Sequence, residues 1–337
     1  MLSRHSGEGL GALLEAARII RSARNVVVAG MGASLHACIP LQYQLTEQGK
    51  QVIGVEAGEL LHYQRNLCSG SVVLLVSRSG ESVEIVKVLP QIKKIANCII
   101  GVTNEPNSTL GNNADLLLTI GCLADEMVAI QSYTATVLLL MLLASAACGD
   151  LSGAREELQR ILATMPSLIA ACLEGLQDWD DFFTPASPAP IYLLGRGPSC
   201  ASCLEGALLF HETARAPAIA MAAGSFRHGP VEVVDPDFRG LIFAPQGATS
   251  DINRALARDV LRFGGKIRVI GPDHRADRTL PIIDIPAVPE RFAPLIEIIP
   301  VQLAALRLAQ LRGVPIGKFR HAPQVCRDEA TFSSGSL

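Results

Sequence analysis

The chain has 337 residues, of which 49% are hydrophobic and 18% charged, with a formal net charge of −3. That length can bury a large core and predicts about two domains. Aromatic residues are only 4% and the charge balance is slightly acidic, which excludes a nucleic-acid partner, because such surfaces need excess positive charge and rings for stacking.

A mean hydropathy of +0.32 fits parallel sheets covered on both faces. The N-terminal stretch MLSRHSGEGLGALLEA has no apolar core of signal-peptide length. The most apolar run, Val137–Leu143 with an alanine-rich extension to Ala147, is too short for a bilayer and reads as a buried helix, so no membrane partner is expected. Nine cysteines, several in apolar runs (Cys98, Cys122, Cys148, Cys172), read as reduced core thiols of a cytoplasmic protein.

In chain order, Leu10–Arg21 has helical spacing. Val26–Ala29 is a buried strand, followed by Gly30-Met31-Gly32-Ala33-Ser34 and a helix through Gln44. Val52–Val55 is a second strand ending at Glu56, and Val72–Val76 a third. Cys98–Val102 is a fourth, followed by a turn-rich loop, Thr103 to Ser108, and Leu116–Ile120 is a fifth. Glu126 opens a long buried helix to about Ala147. Strands alternating with helices predict a parallel, doubly wound sheet. Ala154–Leu176 is one amphipathic helix, and Asp178–Pro190, with three prolines, reads as a linker. The pattern then restarts. Ile191–Leu194 is a strand, Gly195-Arg196-Gly197-Pro198-Ser199 a turn, and a helix runs through about Ala214. Further strands are expected at Gly240–Ala244, Ile267–Ile270 and Ile282–Ile285, with a last helix over Phe292–Leu311.

Gly30, Gly32, Ser34 and Cys38 match Gly195, Gly197, Ser199 and Cys203 at one offset of 165 residues, which predicts two copies of one α/β domain. The expected organisation is an N-terminal helix over 1–24 and a first domain over 25–150. A linking helix and linker over 151–190, a second domain over 191–312 and a tail over 313–337 complete it.

The stretch Val72–Val83, VVLLVSRSGESV, carries the strongest chemical signal. A buried strand breaks into Ser77-Arg78-Ser79-Gly80-Glu81-Ser82 and then into a helical pattern through Ile92. A helix start offers backbone N–H groups and a dipole favouring negative charge. One serine there would be an ordinary N-cap. Three within six residues, around a glycine, predict an anion site suited to a phosphate monoester. The second copy reads Ala244-Pro245-Gln246-Gly247-Ala248-Thr249-Ser250 at that place, so phosphate binding is expected mainly in the first.

The tandem Gly-x-Gly-x-Ser starts, the serine loop and the stretches LEGAL (204–208) and AGSFRHGP (223–230) resemble the double sugar-isomerase (SIS) domain proteins, among them the isomerase half of glucosamine-6-phosphate synthase. The resemblance implies two tandem flavodoxin-like domains, a phosphorylated sugar or amino sugar as ligand, no cofactor or metal, and a homodimer with shared active sites. It implies that Ser77, Arg78, Ser79 and Ser82 hold the phosphate and that Gly32, Ala33 and Ser34 line the other side. Ala129 and Arg320 fall on further substrate contacts. Glu212 falls on the general base that moves a proton between C1 and C2, and His228 on the histidine that opens the ring. In many relatives that histidine reaches in from the neighbouring subunit.

The residue chemistry is compatible with those roles. An enediol route needs a carboxylate over the C1–C2 edge and an acid–base group near neutral pK at the ring oxygen, which suits imidazole. Glu205 and Glu212 are seven apart, so on one α-helix they share a face with Leu208 and Leu209; a carboxylate there is partly desolvated, which raises its pK. A solvated surface glutamate and a loop histidine without a role are the plainer readings of Glu212 and His228. Arg227 is a candidate second anion contact, His211 reads as packing, and Cys200-x-x-Cys203 is a weak redox motif in a cysteine-rich core.

Two lysines of the synthase have no counterpart here. The helix lysine one turn before its glutamate is Leu209, and its imine-forming lysine aligns with Gln324, with Lys318 nearby but out of register. No cysteine-led glutaminase stretch precedes the first domain. The expected function is therefore a phosphosugar isomerase or aminosugar-phosphate-converting enzyme. Alternatives are a deglycase of 6-phosphofructosyl amines, an amino-sugar-phosphate deaminase, or a non-catalytic phosphosugar sensor.

Overall fold

The structure is a computed structural model that describes residues 8–273, 279–323 and 325–330. The chain gathers into two units. One takes in the chain up to Glu156 together with the segment from Phe319 onward, and the other is Glu157–Lys318.

In the first unit, α1 (Glu8–Ser22) leads to β1 (Asn25–Gly30), the short α2 (Ala33–His36), α3 (Ile39–Glu47), β2 (Gln51–Glu56) and α4 (Ala57–Glu59). Then come β3 (Val72–Val76), α5 (Val83–Ile92), β4 (Cys98–Thr103), α6 (Thr109–Asn113), β5 (Leu116–Thr119) and α7 (Gln131–Ala147). The five strands form one parallel sheet in the order β2-β1-β3-β4-β5. Every residue of β3 is buried, because a parallel sheet carries helices on both faces. Side chains alternate across the pleat: Val73 and Leu75 join Val27 and Ala29 in a core that α5 closes with Ile85, Val88, Leu89 and Ile92. Their three- and four-residue spacing is a helical stripe, and each such side chain stabilises the fold by ~1.5–3 kcal/mol relative to exposure.

The helix expected from Glu126 begins instead at Gln131. The buried Asp125 carboxylate accepts the backbone N–H groups of Ile130, Gln131 and Ser132 at 2.9–3.2 Å, so it caps the helix start and leaves the preceding residues, Ala129 among them, as loop.

The helix α8 (Leu151–Glu174) carries the chain from the first unit into the second. There follow β6 (Ile191–Gly195), α9 (Cys200–Leu209), β7 (Ala218–Ala222), α10 (Ala223–Arg227), β8 (Arg239–Phe243), α11 (Ser250–Arg262), β9 (Lys266–Gly271), β10 (Ile282–Asp284) and α12 (Pro294–Leu311). The sheet order is β10-β9-β8-β6-β7. Counted within the copy, this is the order of the first sheet: the second strand flanks the first on one side and the third on the other. Both are the flavodoxin-like parallel arrangement. Sequence analysis missed β7, an alanine-rich strand at the sheet edge with partly exposed residues. The 165-residue repeat applied to β2 lands on residues 216–221, which overlap it.

Asp178–Pro190 is more than a connection. Trp179, Phe182 and Phe183 are buried within the second unit, and Trp179 stacks on Phe183 at 5.5 Å between centroids. α12 is long and apolar enough to cross a membrane, but 67% of it is buried in the fold, as in a core helix.

Candidate functional site

In the first unit the chain leaves β1 for β2 on one side and β3 for β4 on the other, so the loops after β1 and β3 part at the carboxyl edge of the sheet and open a crevice. The register brings their roots side by side, Gly30 opposite Val76. Gly32, Ala33 and Ser34 therefore lie next to the Ser77–Ser82 loop, as expected from their places after the two strands. Gly32 has φ 47°, a left-handed conformation natural only to glycine, and this turns the chain sharply into α2.

The serine loop is braced from within. Ser77 is buried, its Oγ accepts the Gly80 N–H at 3.1 Å and it lies 3.2 Å from Ser82 Oγ. Ser79 Oγ accepts the Glu81 N–H at 3.2 Å. A hydroxyl that accepts an N–H keeps its own proton to donate. Ser82 occupies the N-cap position of α5 but makes no side-chain capping bond, so its hydroxyl is not used as an ordinary cap. Gly80 has φ 65°, and a methyl group there would collide with Ser108.

Neighbouring loops hold this turn in place. The Arg78 carbonyl accepts from Asn104 N at 2.9 Å and Thr103 Oγ1 at 3.0 Å. Glu81 points away from an anion role: its carboxylate takes the Thr109 N–H at 2.5 Å and Thr109 Oγ1 at 3.0 Å. That engages the carboxylate with Thr109 and ties the turn to α6. Sequence reasoning missed Thr103, Ser108 and Thr109, whose places depend on the β3–β4 pairing. The side chain of Arg78 is half-buried, and its charge offsets part of the burial and Asp125 repulsion that raise the Cys122 thiol.

The segment after Phe319 returns to this region of the first unit. The first helical N–H of α5, at Val83, donates to the Cys326 carbonyl at 3.1 Å. Glu329 binds Lys87 Nζ at 2.9 Å and His62 Nε2 at 3.1 Å, and these partners hold its carboxyl below the usual range. Arg320 is exposed at the start of the same segment. Gln324 lies outside the described residues.

Glu212 and His228 belong to the second unit. α9 ends at Leu209 and the backbone widens into a π-turn over Phe210–Ala214, which closes with Arg215 at φ 50°. The wide turn holds more residues per revolution, so a spacing of seven no longer returns to one face. Accordingly Glu205 is 1% exposed while Glu212 is half-buried. His211 Nε2 lies 3.0 Å from Ala218 O and 3.1 Å from Ala218 N, fixing the wide turn to the first residue of β7. His228 follows α10, beyond the far end of β7, and is exposed. In the chain, Glu212 precedes β7 and His228 follows it, with α10 between. Arg227 pairs with Asp259 at 2.8 Å, so its charge is engaged within the unit.

Leu209, at the place of the synthase helix lysine, is 1% exposed. Lys318 is exposed, and its carbonyl accepts from Arg215 Nη2 at 3.1 Å. Sequence analysis also missed Glu297, a fully buried carboxyl on α12 that accepts Ser199 Oγ at 2.8 Å and Ser202 Oγ at 3.0 Å. Burial pushes its pKa up to about 7 against the two hydroxyl bonds. None of the nine cysteines forms a disulfide, and no cluster of three metal-ligating side chains occurs among the described residues. Burial raises the Cys203 thiol well above its ordinary value, which disfavours the thiolate form.

The SIS domain profile matches residues 19–146 and again 186–312, and the chain belongs to the SIS domain family. A glutamine–fructose-6-phosphate aminotransferase [isomerizing] of Pyrococcus horikoshii is 31% identical over 317 residues, covering 88% of this chain and 50% of that protein. The chain thus spans about half the length of the curated relatives it matches. Among solved structures, glucosamine-6-phosphate deaminase from Thermotoga maritima aligns with a TM-score of 0.77 at 19% identity, covering 94% of this chain and 98% of that one. Tagatose-6-phosphate ketose/aldose isomerase from Escherichia coli gives 0.79 at 18%, with 94% and 90% covered. At these identities the likeness is one of fold.

Proposed function

We propose that the chain is an enzyme acting on a sugar 6-phosphate or amino-sugar 6-phosphate by proton transfer between C1 and C2, without a lysine imine. The observation that carries this is the serine loop: three hydroxyls on a braced turn at the start of α5, beside the Gly32–Ser34 turn, form an anion cradle at a topological switch point. Ser77, Arg78, Ser79 and Ser82 bind the phosphate, and Ala33, Ser34, Ala129 and Arg320 contribute further substrate contacts. Glu212 is the base and His228 the acid at the ring oxygen or a leaving nitrogen. Leu209 cannot form a Schiff base.

His228 is then supplied by a second copy of the chain, in a site shared between subunits as the family resemblance implies. The same base and acid would serve ketose–aldose isomerisation or, as the alternative, deamination or deglycation of the sugar phosphate.

The test is turnover of a panel of hexose, amino-sugar and fructosyl-amine 6-phosphates. Activity on a panel member, lost in Glu212→Gln and partly restored on mixing Glu212→Gln with His228→Asn chains, is the expected result. A folded protein that binds phosphosugars and turns over none would instead be a sensor.

A further inference from the structure

The second copy repeats the crevice of the first. Its loops Gly195–Ser199 and Ala244–Ser250 follow the paired strands β6 and β8, and Gly197, at φ 55°, repeats the turn of Gly32 at φ 47°. The serines are gone, and a different group stands between the loops. The Glu290 carboxylate accepts the Ala248 N–H through Oε2 at 3.1 Å. A methyl group on Gly247 would fall on the same oxygen, and one on Gly197 would lie 3.8 Å from Oε1. One carboxylate therefore faces both loops, an oxygen to each. It sits at the start of the 13-residue α11, whose N-cap Thr249 makes no side-chain cap bond.

Two arginines belong to the same loop and helix start, each bound to a neighbour, while the Glu290 charge reaches the buried Glu297 carboxyl and helps to raise it. Arg196 is held by Asn253, itself 1% exposed, through an Nε–Oδ1 bond of 3.2 Å. Arg254 is 3% exposed, donates to Pro272 O at 2.5 Å and lies against Ser250, Nε to Oγ 3.5 Å. In the first copy the acidic residues ahead of the corresponding helix are arranged otherwise. Asp125 turns back to cap α7, and Glu126 is exposed.

We propose that the second crevice is an oxyanion site whose occupant is the chain's own Glu290 carboxylate, and that removing this side chain opens it to a phosphate-sized anion. The carboxylate supplies to α11 and its loop the negative charge that a phosphate supplies at a helix start. Its place between the loops is what excludes an external anion. The proposal uses the first copy only as a geometric guide, so it stands or falls apart from the function proposed above.

The test titrates inorganic phosphate into the full chain by calorimetry, in the natural sequence and in Ser79→Ala/Ser82→Ala, each with and without Glu290→Ala. The expected result is one added phosphate site per chain wherever Glu290 is replaced, whatever the state of the serine loop. No added site in either folded background overturns it. Should the loss of the carboxylate loosen the unit, Glu290→Ser is the second variant and the melting temperature the second readout. Phosphate then raises the melting temperature of Glu290→Ser more than that of the natural chain, because a ligand bound only by the folded state stabilises it. Equal shifts overturn the proposal.

Discussion

Both copies lay five parallel strands in one connectivity, and both begin with a glycine turn of nearly the same φ. They part after the third strand. The first copy places Ser77, Ser79 and Ser82 there, while Glu81, which would oppose an anion, is turned onto Thr109. The second places a proline, small residues and a carboxylate from another segment. A duplicated fold thus keeps its strand order, which backbone pairing and burial impose, and diverges where only a few polar side chains decide what is bound. The proposed catalytic residues and the proposed anion cradle can each be altered alone.

The largest effect is expected at Glu212. Glu212→Gln removes the proposed base and is expected to lower kcat by roughly 10²–10⁴-fold, with phosphosugar affinity kept, measured by steady-state kinetics and calorimetry. Ser79→Ala with Ser82→Ala does the reverse. Each lost hydrogen bond to a charged phosphate costs about 1.5–3 kcal/mol, and calorimetry should show that fall. Gln246→Ala with Thr249→Ala, at the second copy's loop, should leave the affinity unchanged; an equal fall would erase the distinction between the copies.

Glu297 sharpens the comparison from the stability side, since it ties the start of α9 to α12 in the second copy. Its folded pKa, about 7, lies above the ordinary 4.5. The folded state therefore holds the proton more tightly. The contribution is full below about pH 4.5 and is lost as pH rises through 7, amounting to up to about 3 kcal/mol. Urea unfolding of the natural chain should weaken between pH 5 and 8, and Glu297→Gln should flatten that slope.

The smallest effect concerns Glu329, which belongs to the first copy. Lys87 and His62 depress its pKa, so its contribution is present above the ordinary 4.5 and lost as pH falls through the lower folded value. Partly exposed pairs of this kind are worth about 0.2–1 kcal/mol. Glu329→Gln should lower the melting temperature slightly at pH 7 and not at all at pH 3.

The strands of the first sheet were legible because runs such as VVLLV are buried on both faces, and the serine loop because its chemistry is contiguous. β7 was not, since AIAMA is mostly alanine, has one β-branched residue and carries no polar residue to mark its exposed face. The start of α7 was misplaced because a side chain six residues upstream caps it. The widened turn under Glu212 leaves no mark in spacing, and it moved that residue off the face of Glu205. Glu290 and Glu297 were invisible because their partners lie 42 and 95–98 residues away, a distance closed only by the sheet.

The segment from Phe319 belongs to the first unit, although the whole of Glu157–Lys318 separates it from the rest of that unit. On the ribosome this ordering has a clock. Roughly 160 residues, at about 5–20 residues per second, take on the order of 10–30 s to make. Through that interval Val83 lacks the Cys326 carbonyl, and Lys87 and His62 lack Glu329. The nascent first unit spends its early life unstrapped, and a fragment cut at Glu156 is that nascent form rather than the finished one.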